Sequence, residues 1–187
     1  MRIAISGAQS TGKTTLAHAL TEVLDHSRVE PEPFRVLKDR LNLVSGAHTM
    51  SPEQELALIK HNQGRLTAFR AGETVLFDRC ALDALAHAEV ACASGNPDFT
   101  ERWLDTLRAE TTRALSTVEL LLVVRIDPNV PLASDGVRSM DADYRREVDR
   151  KIADLARSHP NAQEIRGSKA ERISQVCALV ETMRPSR

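Results

Sequence analysis

The stretch that decides the fold is RIAISGAQSTGKTT, residues 2–15, close to the start of the chain. Residues 2–6 form a short β-rich run, and residues 7–14 fit the pattern G-x-x-x-x-G-K-[ST] without a mismatch. Apolar residues then recur at helical spacing, which predicts a helix over 13–25. A strand, a glycine-containing loop and a helix in this order form the context in which this pattern binds phosphate.

The loop predicts a nucleotide site. Its glycines let the backbone curl so that successive N–H groups point into one hollow, where the helix N-terminus adds partial positive charge. Lys13 is expected to reach the β- and γ-phosphates of ATP, and the Thr14 hydroxyl is placed to bind Mg²⁺. The residues predicted to bind the nucleotide are Gly7, Ala8, Gln9, Ser10, Thr11, Gly12, Lys13, Thr14 and Thr15.

The rest of the chain alternates strand-like and helix-like segments. Further strands are predicted at 28–34, 74–77, 118–126 and 163–166, and further helices at 51–71, 81–93, 98–116 and 168–183. This alternation predicts a three-layer α/β fold with a central, parallel five-stranded sheet and ligand sites at the carboxyl ends of the strands. No linker divides the 187 residues, so one domain is expected.

Composition excludes several classes of protein. The formal net charge is −1 and aromatic residues make up 3%, which argues against a nucleic-acid partner. No apolar run approaches the roughly 18–20 residues that cross a bilayer, and we expect no signal peptide before the first strand. The three cysteines have no metal-ligand spacing. We expect a cytoplasmic protein that binds a small molecule and no membrane, and we leave a homodimer open.

Charged residues follow two of the predicted strands. Asp78 comes directly after the strand at 74–77, and there it would hold Mg²⁺ or accept the proton of an attacking hydroxyl. Arg79 would grip a phosphate or another substrate group with its planar guanidinium. Glu32, held between prolines at the end of the strand at 28–34, is the alternative base. The residues alone do not choose between the two carboxylates.

A highly charged segment, residues 131–157, is predicted to be a lid whose second half is a helix. Gly136 allows a bend in this segment. The arginines that follow, Arg138 and Arg145, would close over the transferring phosphate and exclude water. Two neutral residues are added to the acceptor site: Phe34 would stack on a base, and Gln63 would hydrogen-bond to it.

Together these segments resemble the P-loop superfamily of small-molecule kinases, above all the NadR-type ribosylnicotinamide kinase domain and its AAA-like relatives. The stretches that carry the resemblance are GAQSTGKT at 7–14, EPFR at 32–35, FDR at 77–79, DGVRS at 135–139 with YR at 144–145, and GSKAER at 167–172.

The resemblance implies a nucleoside/nucleotide kinase-like fold with a helical lid. It implies an acceptor pocket lined by Glu32, Arg35, Asp78 and Arg79, and a lid arginine at Arg138 with Arg145 on the helix behind it. The loop before the last helix, Gly167 and Ser168, would pack on adenine.

The predicted function is ATP-dependent transfer of the γ-phosphate to a hydroxyl of a nucleoside or nucleoside-like metabolite. The predicted catalytic residues are Lys13, Asp78, Glu32, Arg138 and Arg145. Two alternatives stay open. One is a nucleoside monophosphate kinase, which the same arginines would serve. The other is a regulatory P-loop ATPase without a small-molecule acceptor.

Overall fold

A computed structural model of the chain describes residues 1–43, 50–68, 72–128 and 141–183. Five strands form one sheet: β1 (Arg2–Ser6), β2 (Ser27–Glu30), β3 (Thr74–Asp78), β4 (Leu120–Val124) and β5 (Ala162–Ile165). Their spatial order is β2-β3-β1-β4-β5, and every pairing is parallel. The predicted five-stranded parallel sheet is thereby confirmed. The first part of the predicted lid, residues 131–140 with Arg138, lies outside the described residues.

Helices cover both faces of this sheet. In chain order they are α1 (Lys13–Thr21), α2 (Pro33–Leu37), α3 (Pro52–Thr67), α4 (Ala81–Ala93), α5 (Glu101–Leu115), α6 (Ala142–Ala156) and α7 (Lys169–Met183). One apolar core joins the sheet to α3, α4, α5 and α6, and a second core joins it to α1 and α7. All residues of β3 and β4 are buried, because a sheet covered on both sides needs continuous apolar strands. The three-layer α/β fold is confirmed.

The second strand is shorter than the sequence predicts. The strand predicted over 28–34 ends at Glu30, and Pro33 begins the short helix α2 with Glu32 as its N-cap residue. Proline cannot donate to a sheet but is tolerated in the first turn of a helix, where its missing N–H has no partner to lose. The interpretation of residues 31–34 as strand is therefore wrong. Glu32 stands at a helix N-terminus just beyond the strand.

Other boundaries follow local capping chemistry. The Ser51 hydroxyl accepts from the Gln54 N–H while the Gln54 side chain accepts from the Ser51 N–H, which confirms the predicted start of α3. Helix α5 begins at Glu101 with Thr100 as its cap, three residues later than predicted. Within the described ranges, no helix has the length and apolar character needed to span a bilayer.

The strand order brings the charged strand ends together. Because β1 lies between β3 and β4, the chain leaves the sheet from β1 at the point where the strand order reverses, which is where α/β folds bind ligands. Ile5 is paired with Asp78 across β1 and β3, and Glu30 with Phe77 across β2 and β3. The loop after β1, Asp78 and the end of β2 therefore share one edge of the sheet.

Candidate active site

The loop at residues 7–12 has a backbone that two glycines make possible. Gly7 has a φ of 153°, and a Cβ at this position would lie 2.4 Å from the Val124 carbonyl oxygen of β4. Gly12 has a φ of 86° and precedes the first residue of α1. Residues with side chains rarely adopt such positive φ values, so the motif's two fixed glycines follow from geometry.

The loop presents hydrogen-bond donors that the protein itself does not use. Within the described part of the chain, the backbone N–H groups of Ala8, Gln9, Thr11 and Gly12 have no hydrogen-bond partner. Buried backbone donors are almost always paired, so a run of unpaired donors at a helix N-terminus is suited to an anion. The Lys13 ammonium lies over the same hollow, 2.5 Å from the Ala8 carbonyl oxygen. The geometry fits a polyphosphate.

Two arginines hold the outer side of the loop. Arg145 of α6 donates from Nε to the Gln9 carbonyl (3.0 Å) and from Nη2 to the Ser10 carbonyl (3.1 Å). Arg172 of α7 donates from Nη1 to the Thr11 carbonyl at 2.6 Å. These three hydrogen bonds fix the carbonyls of the loop and so stabilise its backbone conformation. The described contacts of Arg145 support the loop, and its predicted role at the transferring phosphate stays a prediction.

Thr14 and Asp78 form the pair that would hold a metal. The Thr14 hydroxyl donates to Oδ2 of Asp78 at 2.6 Å, and only 3% of Asp78 is exposed. A hydroxyl and a carboxylate are hard oxygen ligands of the kind Mg²⁺ prefers beside a bound triphosphate. The donor set fits the predicted ion.

Arg79 is the centre of the acceptor side. It adopts a φ of 63°, unusual for a residue with a side chain. Its Nε lies 2.6 Å from Oε1 of Glu32, and its Nη1 donates to Oδ1 of Asp83 at 2.9 Å. Burial acts to lower the pKa of Arg79, but the carboxylates of Glu32, Asp83 and Asp78 outweigh burial and raise it. The guanidinium is a permanent cation clamped between carboxylates.

Asp83 joins the two halves of the site, and the sequence analysis missed it. Besides Arg79, its carboxylate accepts from the Gly7 N–H (3.3 Å) and from the Cys80 N–H (3.0 Å) at the start of α4. It therefore ties the first residue of the phosphate loop to the end of β3. The available signal was the place of Asp83 in the first turn of the helix predicted at 81–93, where a carboxylate can accept from the free backbone N–H groups of the helix start.

The remaining predicted acceptor residues divide into two groups. Arg35 is close to the site, where its Nε donates to Oε2 of Glu32 at 3.1 Å. Phe34 packs partly against the apolar core. Gln63 lies elsewhere, because its amide donates to the backbone and side chain of Glu110 on α5, at 3.0 and 2.8 Å. Because its amide already forms these hydrogen bonds, Gln63 is not included in the proposed site.

The loop before α7 lies near the phosphate loop. The Ser168 N–H donates to the Glu171 carboxylate at 2.7 Å, and the Glu171 N–H donates to the Ser168 hydroxyl at 3.3 Å, which closes the first turn of α7. The next residue, Arg172, reaches Thr11 in the phosphate loop. The packing of Gly167 and Ser168 on adenine stays a prediction.

A pair of aromatic rings adjoins the acceptor side. Nδ1 of His87 (α4) lies 2.6 Å from the Tyr144 hydroxyl (α6), and the two rings stack with centroids 5.8 Å apart. Burial, followed by the nearby charge of Arg79, lowers the pKa of His87 to about 4. The imidazole is therefore neutral near pH 7.

The parallel sheet, the glycine-containing loop and its buried lysine define a P-loop protein. Residues 2–172 match the sequence model of a family described as AAA domain, and the chain belongs to that family. A comparison with curated proteins finds no significant match.

Several solved structures share the fold. NadR protein in complex with NR aligns with a TM-score of 0.74 at 15% identity, over 99% of this chain and 52% of the NadR chain. Deoxyadenosine kinase from M. mycoides with bound dATP gives a TM-score of 0.73 at 13% identity, over 97% and 99% of the two chains. Thymidylate kinase from Candida albicans aligns with a TM-score of 0.66 at 16% identity, over 96% of this chain and 90% of the thymidylate kinase chain. The chain spans about half the length of NadR, and these likenesses establish the P-loop kinase fold.

Proposed function

We propose that this protein is an ATP-dependent phosphotransferase that moves the γ-phosphate of Mg·ATP to a hydroxyl of a small, nucleoside-like acceptor. The observation that carries the proposal is the presence of two buried carboxylates with different partners at one sheet edge. Asp78 accepts from Thr14 of the phosphate loop, whereas Glu32 pairs with Arg79 on the acceptor side. A hydrolase that uses only water has no need of the second arrangement.

These partners support different tasks for the two carboxylates. Asp78, with Thr14, would hold Mg²⁺, which when bound would neutralise charge on the phosphates. Glu32 would accept the proton of the acceptor hydroxyl. The hydroxyl oxygen forms a bond to the γ-phosphorus as the bond from that phosphorus to the bridging oxygen breaks, and ADP leaves. Lys13 and the loop N–H groups would stabilise charge on the phosphate oxygens.

The arginine environment favours an uncharged acceptor over a monophosphate. Arg79 is balanced by Glu32 and Asp83, and Arg145 donates to loop carbonyls. Both arginines were predicted to bind phosphate, and both already have hydrogen-bond or ion-pair partners among the described residues. A monophosphate brought to this place would compete with Glu32 for Arg79 and meet like charge, which costs binding free energy. We therefore prefer a nucleoside kinase to a nucleoside monophosphate kinase.

The test is a screen of the whole protein with ATP and Mg²⁺ against nucleosides, their monophosphates and sugars. We expect ADP release that depends on a nucleoside, together with a phosphorylated nucleoside seen by mass spectrometry. Faster turnover of a monophosphate would replace the proposal with the monophosphate kinase. Steady hydrolysis that no acceptor stimulates would favour the regulatory ATPase. A cytoplasmic location and the oligomeric state stay predictions.

A further inference from the structure

Glu55 differs from the other buried carboxylates of the described residues. It lies in the first turn of α3, and only 2% of its surface is exposed. Its side chain forms no hydrogen bond or ion pair with any residue that the structure describes. The other buried carboxylates are partnered with an arginine, a hydroxyl or a backbone N–H, and they are Glu32, Asp78, Asp83 and Asp149.

Glu55 adjoins the acceptor side of the candidate site. The groups that share its electrostatic surroundings are Arg79, at the end of β3, and Tyr144, on α6. Arg79 already pairs with Glu32, and Tyr144 already contacts His87. Glu55 is therefore near both groups but forms a hydrogen bond or ion pair with neither.

Burial controls the protonation of this carboxyl. It raises the pKa of Glu55 to about 8, against the opposing charge of Arg79. At neutral pH the side chain is then a carboxylic acid, with one hydroxyl donor beside one carbonyl acceptor. Such a group can form two parallel hydrogen bonds with an edge that offers an acceptor next to a donor, as an amide or an amidine does.

The fold gains nothing from an unpartnered carboxyl at this position. A leucine of similar size would bury apolar surface on α3 without the cost of desolvating a polar group. Residues that lower stability in this way are typical of sites where binding or activity requires them.

We propose that Glu55 is a specificity-determining residue of the acceptor site, and that it recognises an amide-like or amidine-like edge on the acceptor. The inference rests on the proposed kinase function and narrows its substrate class. The acceptor is then a nucleoside whose base or carboxamide presents a hydrogen-bond acceptor beside a donor. A bare sugar or a base without a donor lacks this feature.

The experiment measures kcat/KM at saturating Mg·ATP for uridine, inosine, adenosine and nicotinamide riboside, each compared with purine riboside, whose base has no donor. We expect the best of the four to exceed purine riboside by at least about 10-fold. E55Q keeps a donor and an acceptor, so the preference stays within about 3-fold of the wild-type value. E55L removes both, so the preference disappears while the KM for ATP stays constant.

The matched control is E53Q, because Glu53 is exposed on the same helix turn. E53Q is expected to leave the kcat/KM of each nucleoside relative to purine riboside unchanged. A second measurement on folded wild type covers the case in which E55L fails to fold. The KM for adenosine and for nicotinamide riboside, whose bases do not ionise in this range, rises above about pH 8 as Glu55 ionises, whereas that of E55Q is flat. His87 stays neutral through this range, and burial raises the pKa of Tyr144 beyond it.

Two results would overturn the inference and leave the kinase function intact. One is equal turnover of purine riboside and the other nucleosides by wild type, and the other is a preference that survives in E55L. Failure of every nucleoside to be phosphorylated would instead remove the proposed function and the inference together.

Discussion

The phosphate side and the acceptor side of this site are built in opposite ways. The phosphate loop is one contiguous segment in which several backbone N–H groups have no partner among the described residues, while Arg145 and Arg172 bind its carbonyls. The acceptor side gathers residues from the start of α2, the end of β3, α3, α4 and α6, and most of its charges are paired with one another. The phosphate loop is therefore suited to any polyphosphate, whereas the chemistry of the acceptor side depends on which buried charges are paired.

The largest effect is expected on the phosphate side. K13A removes the buried ammonium that lies over the loop. Turnover should fall by roughly 10³-fold or more, because a preorganised cation is lost where charge develops. The matched control is K60A, an exposed lysine on α3, which should keep wild-type activity. Steady-state kinetics with circular dichroism make the comparison, and a folded K13A with normal turnover would remove Lys13 from the mechanism.

The next effect separates the two carboxylates. E32Q keeps the shape of the side chain but cannot accept the proton, so kcat for transfer should fall by roughly 10²–10³-fold with little change in ATP affinity. D78N should instead weaken magnesium-dependent nucleotide binding. Single-turnover kinetics and calorimetry distinguish the two. The reverse pattern, with D78N losing chemistry and E32Q losing magnesium dependence, would exchange their roles.

A smaller effect is expected where the two sides join. D83N weakens the link between Gly7 and Arg79, so kcat/KM should fall by about 10-fold for ATP and acceptor alike. Asp149 provides the control, because it is also buried and bound to an arginine, Arg125, and to a backbone N–H. D149N should lower the melting temperature without changing the two KM values. Equal kinetic effects in both variants would show that Asp83 is structural only.

The smallest effect concerns stability and pH. Folded Glu55 has a pKa of about 8, above its ordinary value of 4.5, so the folded state holds this proton more tightly than the unfolded chain does. The free energy of unfolding should therefore decrease as pH rises from about 4.5 to 8. E55Q should remove this decrease and be more stable than wild type at pH 8.

Urea unfolding at several pH values measures this difference. E53Q should follow the wild-type curve, because Glu53 is exposed. Parallel curves for wild type and E55Q would show that Glu55 is ionised throughout the range, and the proposed hydrogen-bond donor would then be absent.

The segments predicted best from the sequence are those whose structure depends on neighbouring residues. The strand, loop and helix at residues 2–21 stand where the pattern predicted them, since the spacing of glycines and apolar residues sets the backbone directly. The same reasoning assigned residues 31–34 to a strand, where Pro33 instead begins a helix. It also expected Gln63 to bind a base, and in the structure the Gln63 amide donates to Glu110. The contact of Gln63 depends on a residue distant in sequence, whereas the helix start at Pro33 follows from local backbone chemistry.

By itself, the sequence determined the phosphate cradle, the parallel α/β fold and the charged strand ends, because these depend on residues adjacent in the chain. Only the tertiary structure decided which charges meet. Asp83 links the phosphate loop to Arg79, Arg172 supports the loop, and Glu55 is a buried acid with no partner among the residues that the structure describes. The reason is physical: desolvation and charge pairing depend on which distant elements pack together, and residue spacing along one helix or strand does not record that.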